Sequence, residues 1–104
     1  MSKSINIKQK IALIGCGYWG TIIINQLNAI GFKDIFIFDT NKKNSFILKK
    51  KFKNLIIADS YEKLLDKKDI KILFFATPPS SNFTIAKKAI KKNKNIFLEK
   101  PGFV

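Results

Sequence analysis

Short apolar runs alternate along the chain with longer amphipathic or polar runs. Five apolar runs read as strands, at about Lys10–Ile14, Asp34–Phe38, Asn54–Ala58, Lys71–Ala76 and Asn95–Leu98. Most are near-continuous in Ile, Leu and Phe, the pattern of parallel strands covered on both faces. Between them the period lengthens. Tyr18–Ile30 predicts a helix that stops at Gly31, a residue suited to the left-handed position just past a helix end. Lys42–Phe52 predicts a second, weaker helix. A third is expected to start at Asp59, with Glu62 in a capping-box-like arrangement before Leu64 and Leu65. The fourth follows Pro78-Pro79-Ser80-Ser81, with Phe83, Ala86 and Ile90 at helical spacing and lysines on the other side.

Strand and helix in regular alternation imply an α/β fold. The expected form is a Rossmann-type, doubly wound parallel sheet of about five strands in the order 3-2-1-4-5, with right-handed crossovers. A ligand crevice is expected at the carboxyl ends of the strands, where the order reverses between strands 1 and 4. The whole of 1–104 reads as one domain. At this length a chain buries roughly 60–68% of its unfolded surface, and two domains are excluded.

Composition narrows the chemistry. The 104 residues carry a formal charge of +13, every basic residue is lysine, and histidine is absent. With no His and a single cysteine, Cys16, there is no Cys/His metal site, no His-activated nucleophile and no intramolecular disulfide. Such basicity ordinarily points to nucleic acid or an anionic membrane. Guanine readout and bidentate phosphate contacts favour arginine, however, and the chain has none. Lys, Ile and Asn all have A/T-rich codons, so drift in an AT-rich genome explains the lysines without a partner. The lysine pairs and triplets are expected on solvated helix faces or loops. Met1–Gln9 lacks the apolar run of a signal peptide, and the longest apolar stretches are too short to span a bilayer. The expected setting is cytoplasmic, with no membrane and no nucleic acid as partner.

Four strand ends carry candidate chemistry. Gly15-Cys16-Gly17-Tyr18-Trp19-Gly20 is a GxGxxG between a strand and a helix. Gly15 would permit the tight turn, Gly17 the approach of a pyrophosphate, and Gly20 the packing of helix on strand. The alternative is a purely structural Gly-rich turn. Asp39 follows Gly20 by nineteen residues, the distance at which an acidic residue meets the adenosine ribose hydroxyls of NAD. A carboxylate there repels a 2′-phosphate, so NAD is favoured over NADP, although Lys42 and Lys43 soften that preference. Ala76-Thr77-Pro78-Pro79 would form a rigid lip over the crevice, or simply punctuate the start of a helix. Leu98-Glu99-Lys100-Pro101 places a lysine at the end of a buried strand, where desolvation lets it act as acid, base or hydrogen-bond donor.

Taken together, these motifs resemble the N-terminal domain of the Gfo/Idh/MocA family of oxidoreductases. The resemblance spans about Lys10 to Pro101, and Glu-Lys-Pro after a strand is its most specific element. It implies hydride transfer between NAD(P) and a carbinol carbon of a sugar, cyclitol or nucleotide sugar. By the same resemblance, Lys100 would be the catalytic residue, contacting the substrate hydroxyl and the nicotinamide ribose. Glu99 would stand at the nicotinamide end. Gly15, Cys16, Gly17, Tyr18, Trp19, Gly20, Asp39, Ala76, Thr77, Pro78 and Asn82 would line the cofactor. Asn82 stands where many members have histidine. Members also carry a second α/β domain that binds substrate, mediates oligomerisation and supplies further catalytic residues. That C-terminal domain is expected to be absent here, so the chain alone should bind NAD(H) without turnover and can self-associate through exposed apolar surface. A stand-alone nucleotide-sensing or interaction module remains the alternative, with a basic nucleic-acid binder behind it.

Overall fold

The computed structural model describes residues 8–76 and 79–98. Their elements run β1 (Lys10–Ile14), α1 (Tyr18–Ile30), β2 (Ile35–Phe38), α2 (Lys42–Lys51), β3 (Leu55–Ile57), α3 (Tyr61–Asp66), β4 (Ile70–Phe75), α4 (Pro79–Lys91) and β5 (Asn95–Leu98). The strands form one sheet in the order β3-β2-β1-β4-β5, and all four pairings are parallel. The doubly wound α/β expectation is met.

The central strand shows why the strands are apolar throughout. Ile11 and Leu13 of β1 enter one core cluster with Ile23, Ile24 and Leu27 of α1 and Leu48 of α2. Its alternate residues, Ala12 and Ile14, enter a second cluster with Leu64 and Leu65 of α3 and Ile85 and Ala89 of α4. A strand with helices on both faces has no solvent face, so period-two polarity disappears. Each fully buried Ile or Leu contributes about 1.5–3 kcal/mol relative to exposure.

Helix α1 has the predicted bounds. Gly31 ends it at φ 119°, and the Phe32 amide donates to the Leu27 carbonyl at 3.2 Å. Buried Phe32 then seals the turn apolar side inward, as a Schellman-type end requires.

Two helices differ from expectation. The cap of α3 is Ser60, not Asp59: its side chain accepts from the Lys63 amide at 3.2 Å. Asp59 instead pairs with the Lys63 ammonium at the surface. The reason is register, since a helix beginning at Tyr61 puts its cap at position 60. On α4 the buried pair is Ile85 and Ala89, while Phe83 and Ile90 are exposed. A small residue at the contact lets the helix approach the sheet, and Phe83 lies under the Lys87 ammonium, 5.3 Å from the ring centroid. Lysines also depart from expectation at two places. Lys49 donates to the Lys53 and Leu55 carbonyls, and Lys94 to the Lys67 and Ile70 carbonyls.

Candidate functional site

The carboxyl ends of four strands are tied side by side. The Gly15 amide donates to the Phe38 carbonyl at 2.8 Å, Ala58 to Ile37 at 2.9 Å, and Ala76 to Ile14 at 2.8 Å. Gly15, the end of β2, Ala58 and buried Ala76 thus share one edge, where the chain order reverses on either side of β1.

Each glycine of the turn has a distinct physical reason. Gly15 adopts φ 100°, a left-handed conformation that favours glycine. A Cβ on Gly20 would lie 2.4 Å from the Gly15 carbonyl oxygen and 3.3 Å from Leu13 Cδ2, so only glycine lets α1 pack so near β1. A Cβ on Gly17 would meet nothing within 4 Å. It points into open space above the turn.

Gly17 is the N-cap of α1 and brings no side chain to cap it, and the first turn holds no acidic residue. The opening amides of a helix lack intrahelical partners, and its macrodipole adds positive potential there. An anion with several acceptor oxygens fits that end. Tyr18 is exposed beside it, edge-on to Trp19 with ring centroids 5.6 Å apart. Trp19 is half-buried against the α1 core cluster.

Half-buried Asp39 ends β2 and reaches across to the turn. Its Oδ2 accepts from the Cys16 amide at 2.8 Å and from Asn44 Nδ2 at 3.2 Å, and its Oδ1 accepts from the Asn41 amide at 2.8 Å. The Cys16 amide therefore faces Asp39 rather than a phosphate. Its thiol is buried, and desolvation, with the Asp39 charge adding to it, pushes its pKa up to about 12. It stays neutral and is no nucleophile.

Asp39 lines a cavity of about 240 Å³ together with apolar Phe38, Phe46, Ile57 and Ala58 and charged Lys42 and Asp59. The sequence alone does not single out Asn44 and Phe46 in this region, because their part depends on which face of α2 turns toward β2. Only the helix-start pattern after Asp39 hints at it. A larger cavity, about 430 Å³, opens at the opposite edge of the sheet. Two of the four lysines on it are engaged, Lys92 with Asp66 and Lys94 with the Lys67 and Ile70 carbonyls, and Lys68 and Lys71 also line it.

The remaining candidates are placed only in part. Asn82 belongs to α4 by its backbone, and its side chain lies outside the described ones. Thr77, Pro78, Glu99 and Lys100 lie outside the described residues. Among the described residues no group of His, Cys, Asp or Glu could hold a metal ion, and no helix is long and apolar enough to cross a membrane.

A family model described as an oxidoreductase family with an NAD-binding Rossmann fold matches residues 9–103. The chain belongs to the Gfo/Idh/MocA oxidoreductase family. Its cofactor is accordingly of the NAD(P) class. Solved structures agree in fold. Myo-inositol dehydrogenase from Lactobacillus casei, in complex with NAD(H) and myo-inositol, is 25% identical with a TM-score of 0.79, over 90% of this chain and 29% of that one. An NAD-binding protein from Listeria innocua is also 25% identical, TM-score 0.77, over 90% and 28%. A UDP-N-acetylglucosamine 3-dehydrogenase from Acidithiobacillus ferrooxidans is 22% identical, TM-score 0.73, over 88% and 29%. A comparison with curated proteins returned no match. This Gfo/Idh/MocA chain thus spans less than a third of the length of those structures.

The glycine turn and Asp39 fit a dinucleotide. Gly17 leaves room above the turn, α1 offers uncapped amides, and Asp39 stands at the adjacent strand end.

Proposed function

We propose that this chain is the cofactor-binding half of a dehydrogenase that takes NAD in preference to NADP and oxidises or reduces a sugar, cyclitol or nucleotide-sugar carbon. The observation that carries the proposal is the Asp39 carboxylate, held against the glycine turn by the Cys16 amide at 2.8 Å. A carboxylate fixed there accepts a ribose hydroxyl and repels a 2′-phosphate. Gly15, Gly17 and Gly20 shape the turn, and the amides of Tyr18 and Trp19 at the α1 start take the pyrophosphate. By the family resemblance, Ala76, Thr77, Pro78, Asn82 and Glu99 contribute to cofactor binding. The bound nicotinamide supplies hydride acceptance or donation. Lys100 holds or returns the proton of the substrate hydroxyl. The name of one similar structure, a myo-inositol dehydrogenase at 25% identity, supports the sugar or cyclitol class.

No histidine is present to act as a second acid/base beside Lys100. The expected behaviour is NADH binding without turnover. Trp19, the single tryptophan, stands in the first turn of α1, next to the glycine turn, and reports binding there. Its fluorescence should change on NADH titration, and Gly17→Val, which fills space open in the fold, should abolish the change while leaving the circular dichroism spectrum intact. A flat titration in the parent, or identical titrations in parent and variant, would sink the proposal.

A further inference from the structure

We infer that Asn44 is a positioning residue for the ribose-binding carboxylate and sets the preference for NADH over NADPH. This rests on the proposed reading of Asp39 and deepens it.

The start of α2 explains the arrangement. Asn41 caps the helix by accepting from the Lys43 amide at 3.0 Å. In a capping box the third helical residue would reach back to the amide of the cap. Here that amide is already taken by Asp39 Oδ1. Asn44, the third helical residue, is thereby released from the usual role, and its Nδ2 donates to Asp39 Oδ2 instead. The α2 dipole also favours a negative charge at this end.

A carboxylate offers about four lone-pair sites. Three donors among the described residues occupy them: Cys16 N and Asn44 Nδ2 on Oδ2, and Asn41 N on Oδ1. Oδ2 is therefore saturated by the protein, and Oδ1 keeps one site for an outside donor. The Cys16 and Asn41 amides hold one oxygen each, and Asn44 adds the side-chain donor that fills Oδ2 and tightens the carboxylate's orientation. Without it, Oδ2 keeps an open site and the carboxylate swings more widely within its two remaining bonds, which weakens the ribose hydroxyl contact and eases repulsion of a 2′-phosphate.

The test is titration of the 104-residue chain and its Asn44→Leu and Asn44→Ala variants with NADH and NADPH, read by Trp19 fluorescence. Asn44→Leu keeps the approximate shape and removes the donor without adding charge; Asn44→Ala removes both. NADH affinity should fall about tenfold, as for loss of a hydrogen bond to a charged group, while NADPH affinity holds or rises. The NADH-to-NADPH preference therefore falls at least about fivefold, allowing for the spread in such hydrogen-bond values. Asn44→Gln, which retains an amide donor, should recover most of it. If both affinities fall in proportion, the role is merely structural and the inference is wrong. An unchanged preference in a parent that binds NADH overturns this inference alone. Should the parent fail to respond to NADH, or respond as Gly17→Val does, the cofactor reading falls and the inference with it.

Discussion

The two edges of the sheet solve the same problem in opposite ways. Strand and helix ends leave backbone groups that need partners. At the amino edge these are mainly carbonyls, and lysine satisfies them. Lys94, only 8% exposed, lays its ammonium on the Lys67 and Ile70 carbonyls. Around it, Lys10 pairs with Asp69 and Lys92 with Asp66. At the carboxyl edge the exposed groups are amides. A single carboxylate, Asp39, takes two of them along with the Asn44 amide nitrogen. The amides opening α1 keep no side-chain cap. At one edge lysines engage carbonyls and two aspartates. The other is left able to bind an anion. The larger of the two cavities lies at the lysine-rich edge and the smaller beside Asp39.

The sharpest way to break this contrast is at Gly20. Its Cβ would lie 2.4 Å from backbone, so Gly20→Ala should cost about 3 kcal/mol despite the better helix propensity of alanine. Gly17→Ala, into open space, should cost less than about 1 kcal/mol. Thermal unfolding of the two variants separates them, and equal costs would mean that the turn is not packed as described.

A smaller effect is expected at the amino edge. Lys94→Met keeps the apolar stem and deprives two carbonyls of their donor. The desolvated ammonium has its pKa lowered by burial, which offsets part of the loss, leaving about 1–2 kcal/mol in urea unfolding. No loss at all would show that the ammonium does not hold this edge together.

The smallest effect concerns acid. The hydrogen bond from Lys92 lowers the pKa of Asp66, and that from Lys10 lowers the pKa of Asp69, relative to an ordinary value of 3.8. Carboxylates with depressed folded pKa values contribute stability above the unfolded value and lose it as pH falls through the folded one. Melting temperature should therefore dip modestly below about pH 4, and Asp66→Asn with Asp69→Asn should flatten that dip. Both carboxylates are at the solvent-screened surface, so a large dip in the double variant would assign the acid limb to other groups.

Much of this site is legible without any fold. Gly15, Gly17 and Gly20 announce themselves because backbone freedom and absent side chains are properties of the residue. Asp39 follows because strand, helix and strand lengths fix its distance along the chain. Asn44 gives no comparable signal: its bond to Asp39 depends on the rotation of α2 about its axis. Lys94 is equally hidden among twenty lysines. Its partners lie 24 and 27 residues away, and nothing local distinguishes it from Lys92. The inward face of α4 escapes the sequence pattern for the same reason, since apolar residues occupy more than one side of that helix.

By itself, then, the sequence determined the alternation of elements, the doubly wound sheet and the glycine turn. Each of these follows from apolar periodicity or from backbone conformations open to glycine, which are local. Only the tertiary structure decided how Asp39 is held, which lysines are buried and which face of α4 meets the sheet. Those depend on contacts between residues far apart in the chain, such as the bond joining Cys16 to Asp39 across 23 positions. Such contacts exist only once the crossover helices have brought strand ends side by side.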